Sequence, residues 1–318
     1  MTALVQCVPN FSEGRRPDVI AAIVEAVRGT EGVRLADWSA DPDHNRMVVT
    51  FVGPPGAVRA AALAAAAVAV ARIDIGGHQG VHPRLGALDV LPFVPLRDIS
   101  YEECAALARG VGEEMAGRHG LPVFLYELAS PGRRSLPFVR KEAFRTLMPD
   151  FGPDFPHPTA GAAVVGTRGA LIAYNVVLST PDVAIARAIA REMRGAADLP
   201  GVRALGLELP SRGLTQVSMN LIRPAETPLL AVFRRVEEEA RARGAVIIES
   251  EVIGTLPGFS AFGVLGDALR AAGLKPGQVL LENWGAGGQE QGGEQGEEQG
   301  EEQGEEQGEE QGEEQGGE

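Results

Sequence analysis

In Ala170-Leu171-Ile172-Ala173-Tyr174-Asn175-Val176-Val177-Leu178-Ser179-Thr180-Pro181 an apolar run stops at a polar pair and a proline. Residues 170–178 read as a strand. Thr180-Pro181 supplies an N-cap followed by proline at the first helical position, where a missing N–H leaves no bond unmade. Outward from there the pattern continues as a helix over 181–194, strands over 202–208 and 215–221, a helix over 228–243 opened by Thr227-Pro228, and a strand over 246–253. The first third repeats that order: strand 3–9, helix 17–28, strands 33–38 and 46–52, helix 57–72 and strand 88–94. Two copies of a β-α-β-β-α-β unit predict an α+β fold of two ferredoxin-like subdomains.

Between the copies, Ser100 with Glu103 three residues on forms a capping-box pattern that opens a helix, and 122–126 reads as a strand. A connector follows: Pro149-Asp150-Phe151-Gly152-Pro153-Asp154-Phe155-Pro156-His157-Pro158-Thr159-Ala160-Gly161. Its prolines exclude a helix. It reads either as an interdomain linker or as a stiff, shaped surface suited to a flat ligand, since a flexible linker would favour Gly and Ser. The expected division is 1–161, 162–286 and a tail at 287–318.

The formal charge of -14 is concentrated at the C-terminus, where residues 289–318 hold 13 Glu and no Lys or Arg. Without them the body is near neutral, which supports neither a nucleic-acid footprint nor a polyacidic body. The Gly-Glu-Glu-Gln repeats have no apolar residue after Ala286 and predict a solvated, disordered tail. Cys7 and Cys104 alone, with no basic, apolar leader at the start, argue for a reducing cytoplasm. The apolar stretch 57–71 is Ala-rich, carries Arg59 and is too short for a bilayer, so a packed helix is expected and no membrane partner.

The chemistry-bearing stretch is His78-Gln79-Gly80-Val81-His82-Pro83-Arg84-Leu85-Gly86-Ala87-Leu88-Asp89-Val90. Its glycines and proline exclude a helix, so the His-x-x-x-His pair lacks the one-face geometry of a metal motif, and no cysteine or glutamate follows at ligand spacing. No metal is expected. A loop leading into a buried strand is a usual place for a reactive side chain, and imidazole titrates near neutral pH, which suits a proton carrier.

With these segments the chain resembles the glutamate formimidoyltransferase family, the transferase part of the formimidoyltransferase-cyclodeaminases. The resemblance rests on Cys7-Val8-Pro9-Asn10-Phe11-Ser12-Glu13-Gly14, Asn45-Arg46 leading into Val49-Thr50-Phe51-Val52-Gly53, His82 to Val90, Ala173-Tyr174-Asn175 and Gln216-Val217-Ser218-Met219-Asn220-Leu221. It implies transfer of a formimidoyl group from N-formimidoyl-L-glutamate to N5 of tetrahydrofolate, a step of histidine breakdown. Tetrahydrofolate is then a co-substrate in a cleft between the subdomains. The resemblance also implies that His82 is catalytic and that Gly152 to Gly161 binds folate. Nothing resembles a cyclodeaminase domain.

Attack by a secondary amine on an amidine carbon requires one nitrogen to lose a proton and another to gain one, and one histidine suffices for both. The donor's carboxylates call for a guanidinium fork, for which Arg46 and Arg84 are candidates; Asp37, Asp41 and Glu13 are candidates to face its amidinium. Asn10, Gln216 and Asn220 offer hydrogen bonds from strands, and Asn45 and His78 stand in the same motifs. Some family members carry a second acid where this chain has Ser39, so the supporting charge for His82 falls to Asp37, or to Asp41 and His44. The competing readings are a formyl donor and a non-catalytic folate binder. The partners expected are small molecules, not nucleic acid. Oligomeric state stays open, a homodimer being the assembly considered.

Overall fold

Two large sheets backed by helices, and a small parallel two-stranded one, are seen in the computed structural model, which describes residues 2–78, 84–257, 260 and 279–280. His82 and the 287–318 tail lie outside the described residues. The order is β1 (Leu4–Cys7), β2 (Asn10–Phe11), α1 (Pro17–Arg28), β3 (Arg34–Asp41), β4 (Arg46–Gly53), α2 (Pro55–Arg72), β5 (Leu88–Arg97), α3 (Tyr101–His119), β6 (Val123–Glu127), a 3-10 turn (Pro131–Arg133), α4 (Leu136–Glu142) and β7 (Ala163–Thr167). The second half runs β8 (Ile172–Leu178), α5 (Val183–Gly195), β9 (Val202–Leu209), β10 (Leu214–Leu221), α6 (Leu229–Ala242), β11 (Ile247–Ile253), β12 (Leu256–Pro257) and β13 (Val279–Leu280).

In the first sheet β3 pairs with β4, β4 with β1 and β2, and these with β5; all are antiparallel. Beyond β5 the sheet is extended by β7 and then β6, both parallel to it. The second sheet has the order β11-β8-β10-β9 and is antiparallel throughout. In each copy of the six-element unit, the first strand therefore lies between the third and the fourth.

One face of the first sheet packs Val5, Cys7, Val49, Phe51, Leu91 and Phe93 against α1, α2 and α3. Alanines at 61, 62, 65, 66 and 69 give α2 its buried face, and small side chains let neighbouring helices approach closely. The second sheet does the same with Tyr174, Val176, Val217 and Met219 against α5 and α6. On the other face of the first sheet, α4 covers only part, packing Val139 onto Val90, Phe124, Tyr126 and Val164. The rest of that face is left for the second sheet.

Local signals hold where one turn contains them. Ser100 accepts the Glu103 N–H at 3.2 Å while Glu103 accepts the Ser100 N–H at 2.8 Å, the predicted capping box. The two Thr-Pro starts differ from expectation. The Thr180 hydroxyl accepts the Asp182 N–H at 3.1 Å and Asp182 caps α5 through the Ala184 N–H at 2.9 Å, so the proline precedes the cap. Thr227 instead donates to the Pro200 carbonyl at 2.6 Å, leaving Pro228 as the N-cap residue of α6.

The connector contains no helix, as its prolines require. It does not end the first half, however: β7 follows it and joins the first sheet, so the expected division at 161/162 precedes the end of that sheet. A strand directly after a proline-rich run, parallel to neighbours far away in sequence, leaves little local trace.

Candidate active site

Between the sheet faces turned away from α1–α3 and from α5–α6 lies a cavity of about 630 Å³. Strand alternation explains its lining, since residues two apart share a face. The first sheet contributes Gln6 and Val8, Ser39 and Asp41, Arg46 and Val48, Val90 and Pro92; the second contributes Ala173, Asn175 and Val177, Gln216, Ser218 and Asn220, and Glu249, Glu251 and Ile253. Arg140 of α4, Arg168 just after β7, and Arg203 and Arg212 of the second half add cations to the lining. Hydrogen bonds that cross between the halves include Gln6 Nε2 to Thr255 Oγ1 at 2.6 Å, and Ser211 N–H and Oγ to the Asp43 carboxylate at 3.1 and 2.6 Å.

Charge is distributed unevenly around this space. Burial pulls Arg46 down to about 10, opposed by Asp89, so it remains a cation at neutral pH. Arg140 meets Asp89 at 2.5 Å, and Asp89, only 2% exposed, also accepts the Leu85 N–H at 2.7 Å. One buried carboxylate thus anchors both a cavity arginine and the Leu85 backbone. Opposite, burial raises the Glu251 carboxyl, Asn175 opposes this with a hydrogen bond at 3.3 Å, and Asp41 and Glu249 raise it further. Asp41 and Glu251 are therefore neighbouring acids contributed by different sheets.

The turn between β3 and β4 is tightly determined. Asp41 Oδ1 accepts the His44 N–H at 2.8 Å, and Asp41 Oδ2 lies 3.5 Å from His44 Nδ1. Asn45 adopts a left-handed φ of 46° and accepts the Gly14 N–H at 3.0 Å. A Cβ on Gly14 would meet the Asp41 carbonyl oxygen at 2.1 Å, so only glycine lets the 13–16 segment lie against this turn.

Of the expected site residues, Asn10, Asp41, Arg46, Gln216 and Asn220 line the cavity. Asn10 Nδ2 donates to the Val8 carbonyl at 2.8 Å, and Gln216 Nε2 lies 3.2 Å from His44 Nε2. Asp37, buried on β3, and Asn45 are not in the lining. Glu13 is set apart too: it accepts the Arg15 and Arg16 N–H groups at 3.0 and 2.9 Å and the Arg16 side chain at 2.5 Å. Burial raises the Glu13 carboxyl, but these bonds outweigh it and the net shift is downward. Arg84, expected in the carboxylate fork, turns to backbone instead, donating to the His44 carbonyl at 3.0 Å and the Asn45 carbonyl at 3.4 Å and contacting the His78 ring. Burial, then Arg84, lowers the His78 pKa.

The connector residues Gly152 to Gly161 do not line the cavity either. The segment folds back on itself, His157 bridging Gly161, and then grips the loop on both sides of the His82 stretch. Ile75 N–H donates to the Thr159 carbonyl at 2.7 Å, Ala162 N–H to the Leu85 carbonyl at 3.1 Å and Ala87 N–H to the Ala160 carbonyl at 2.9 Å. A Cβ on Gly86 would meet the Ala162 carbonyl oxygen at 2.2 Å, which explains that glycine. Phe155 stays 66% exposed.

Sequence reasoning missed Arg140, Arg168 and Glu251. Glu249-Ser250-Glu251 had a legible signal, two acids alternating with a small residue on a strand, which places both acids on one face. Arg140 had none, because it reaches the cavity from a helix outside both repeats.

Two α+β halves enclose a cavity lined with arginines, acids and a buried His44 beside the part-exposed Asp41, the setting of a small-molecule site. The comparisons give the family. Residues 4–168 match the Formiminotransferase domain, N-terminal subdomain, and residues 173–263 the Formiminotransferase domain. The chain is 38% identical over 295 residues to the glutamate formimidoyltransferase of Streptococcus pyogenes serotype M1, covering 89% of this chain and 99% of that protein. It is 38% identical over 292 residues to that of Thermoplasma acidophilum, covering 87% and 96%. Against the formimidoyltransferase-cyclodeaminase of Mus musculus it is 41% identical over 274 residues, 81% of this chain and 51% of that longer protein. The chain belongs to the formiminotransferase family.

Proposed function

We propose that the protein is a glutamate formimidoyltransferase, moving the formimidoyl group of N-formimidoyl-L-glutamate to N5 of tetrahydrofolate in histidine breakdown. The observation that carries this reading is the cavity of about 630 Å³, whose lining holds Arg46 and Arg140 together with the acids Asp41 and Glu251. A donor with two carboxylates and an amidinium matches a site that offers charges of both signs. Arg46 and Arg140 receive the carboxylates; Asp41 and Glu251 face the amidinium. The acids favour the formimidoyl donor over a formyl one, whose oxygen carries no positive charge.

Tetrahydrofolate enters as co-substrate, held by hydrogen bonds from Asn10, Gln216 and Asn220. The 152–161 segment acts through the loop it clamps, and its exposed Phe155 is the surface it offers a ring. As N5 attacks the amidine carbon, a tetrahedral centre forms. N5 then loses a proton, and the glutamate nitrogen gains one as its bond to carbon breaks. His82 is the family's proton carrier for this exchange. Each half is a ferredoxin-like unit, a reading supported by the first strand lying between the third and fourth in both sheets. Cys7 and Cys104 as buried free thiols suit a cytoplasmic enzyme.

The test is direct. Purified protein is mixed with tetrahydrofolate and either N-formimidoyl- or N-formyl-L-glutamate, and glutamate release is followed. Release from the formimidoyl donor supports the reading; release from neither overturns it.

A further inference from the structure

Resting on that transfer reading, we infer that His44, oriented by Asp41, is a second proton-transfer group of the cavity, taking the proton that N5 loses when it attacks the amidine carbon. His44 is 5% exposed and lines the cavity beside Arg46. The residue is held from several sides, ring and backbone. Asp41 lies 3.5 Å from Nδ1, Arg84 grips the His44 carbonyl at 3.0 Å, and Gln216 reaches from the other sheet to place its Nε2 at 3.2 Å from His44 Nε2.

With its nitrogen turned to the ring, the Gln216 amide donates to His44 Nε2, which puts the ring proton on Nδ1 toward Asp41. A base whose far nitrogen is held by a carboxylate is the arrangement that activates an imidazole and stabilises the imidazolium it becomes. Burial lowers the His44 pKa, with Asp41 and Asp43 opposing and Arg46 and Arg84 assisting, so the ring meets substrate unprotonated. The lone pair on Nε2 is then available once substrate displaces the Gln216 amide.

The proton balance closes. The N5–carbon bond forms, the N5 proton passes to His44 Nε2, and the glutamate nitrogen takes a proton from His82 as its bond to carbon breaks. The electron pair of the remaining nitrogen restores the amidinium on the product. Exchange of one proton with solvent resets both histidines. A pair of histidines so divided needs neither ring to act twice within one turnover.

The experiment compares the full chain with His44→Gln, His44→Ala and Asp41→Asn, following glutamate release from the formimidoyl donor across a pH series. His44→Gln keeps a polar partner for Gln216, so folding is preserved. Expected is a kcat loss on the order of 10²-fold, a folate KM within about threefold of the parent, and loss of one limb of the pH–rate profile. Asp41→Asn moves that limb to lower pH, and added imidazole restores part of the His44→Ala activity. A His44→Gln enzyme with kcat within about twofold of the parent overturns the inference. So does a reduced kcat with an unchanged profile and no imidazole rescue, which would make His44 a strut for Gln216. A parent protein inactive with the formimidoyl donor overturns the transfer reading and this inference with it.

Discussion

The first sheet sends Arg46, Asp41 and the His44 turn into the cavity, whereas the second answers with Asn175, Gln216, Ser218 and Asn220 alongside Glu249 and Glu251. Their surroundings explain the contrast. The first sheet has three helices behind it and α4 on part of its front, so a buried Asp89 can balance both Arg140 and Arg46. The second has four strands and two helices, and its cavity face mixes Asn175, Gln216, Ser218 and Asn220 with the charged Arg203, Arg212, Glu249 and Glu251. Charges buried without partners are costly, so Arg46 and Arg140 sit where Asp89 balances them, while Arg212 across the cavity pairs with Glu249. The amides opposite, able to donate or accept, suit orientation of a substrate by hydrogen bonds.

That division breaks outright if the first half does not govern proton transfer. His82→Ala is expected to lower glutamate release by about 10²–10⁴-fold in folded protein; full activity would remove the histidine from the mechanism. Next in size, Asp89→Ala leaves Arg140 and the Leu85 N–H without their acceptor. Its expected cost is about 3–5 kcal/mol in a denaturant titration, and an unchanged midpoint would mean that the arginines need no such anchor.

Arg46→Lys keeps a cation but removes the planar fork, so the donor KM should rise on the order of tenfold, ~1.4 kcal/mol, with folate KM little changed. An equal rise for both substrates would dissolve the contrast between the walls. Ser100→Ala removes the cap of α3, which backs only the first sheet, and should cost about 1 kcal/mol of stability without altering kcat. The smallest effect concerns pH. Because the folded Glu13 carboxyl lies below its ordinary value of 4.5, its contribution is complete above that pH and is lost as pH falls through the lower folded value. Glu13→Gln should flatten the acid side of the stability curve; a parent curve already flat there would contradict it.

Much of the fold was legible because its signals are local. α1 begins and ends where periodicity placed it, and both strand-helix-strand-strand-helix-strand series were readable from apolar runs and their interruptions. The same rules misplaced the starts of α5 and α6, where a proline one residue before the cap and a proline at the cap give nearly the same text. In the site, Asp41, Arg46 and Gln216 were found by residue type and motif, and all three face the cavity. Glu13 and Arg84 had equally suggestive chemistry but spend it on nearby backbone.

The chain's own order of residues settled the repeated unit, the strand faces and the family, because alternation, caps and motifs act over a few residues. Only the packed structure decided which charges share a space. Asp41 with Glu251, His44 with Gln216 and Asp89 with Arg140 are far apart in sequence, and each pair depends on how two sheets and a helix come together. No local pattern records that encounter, since it is set by burial of the apolar faces that lie behind them.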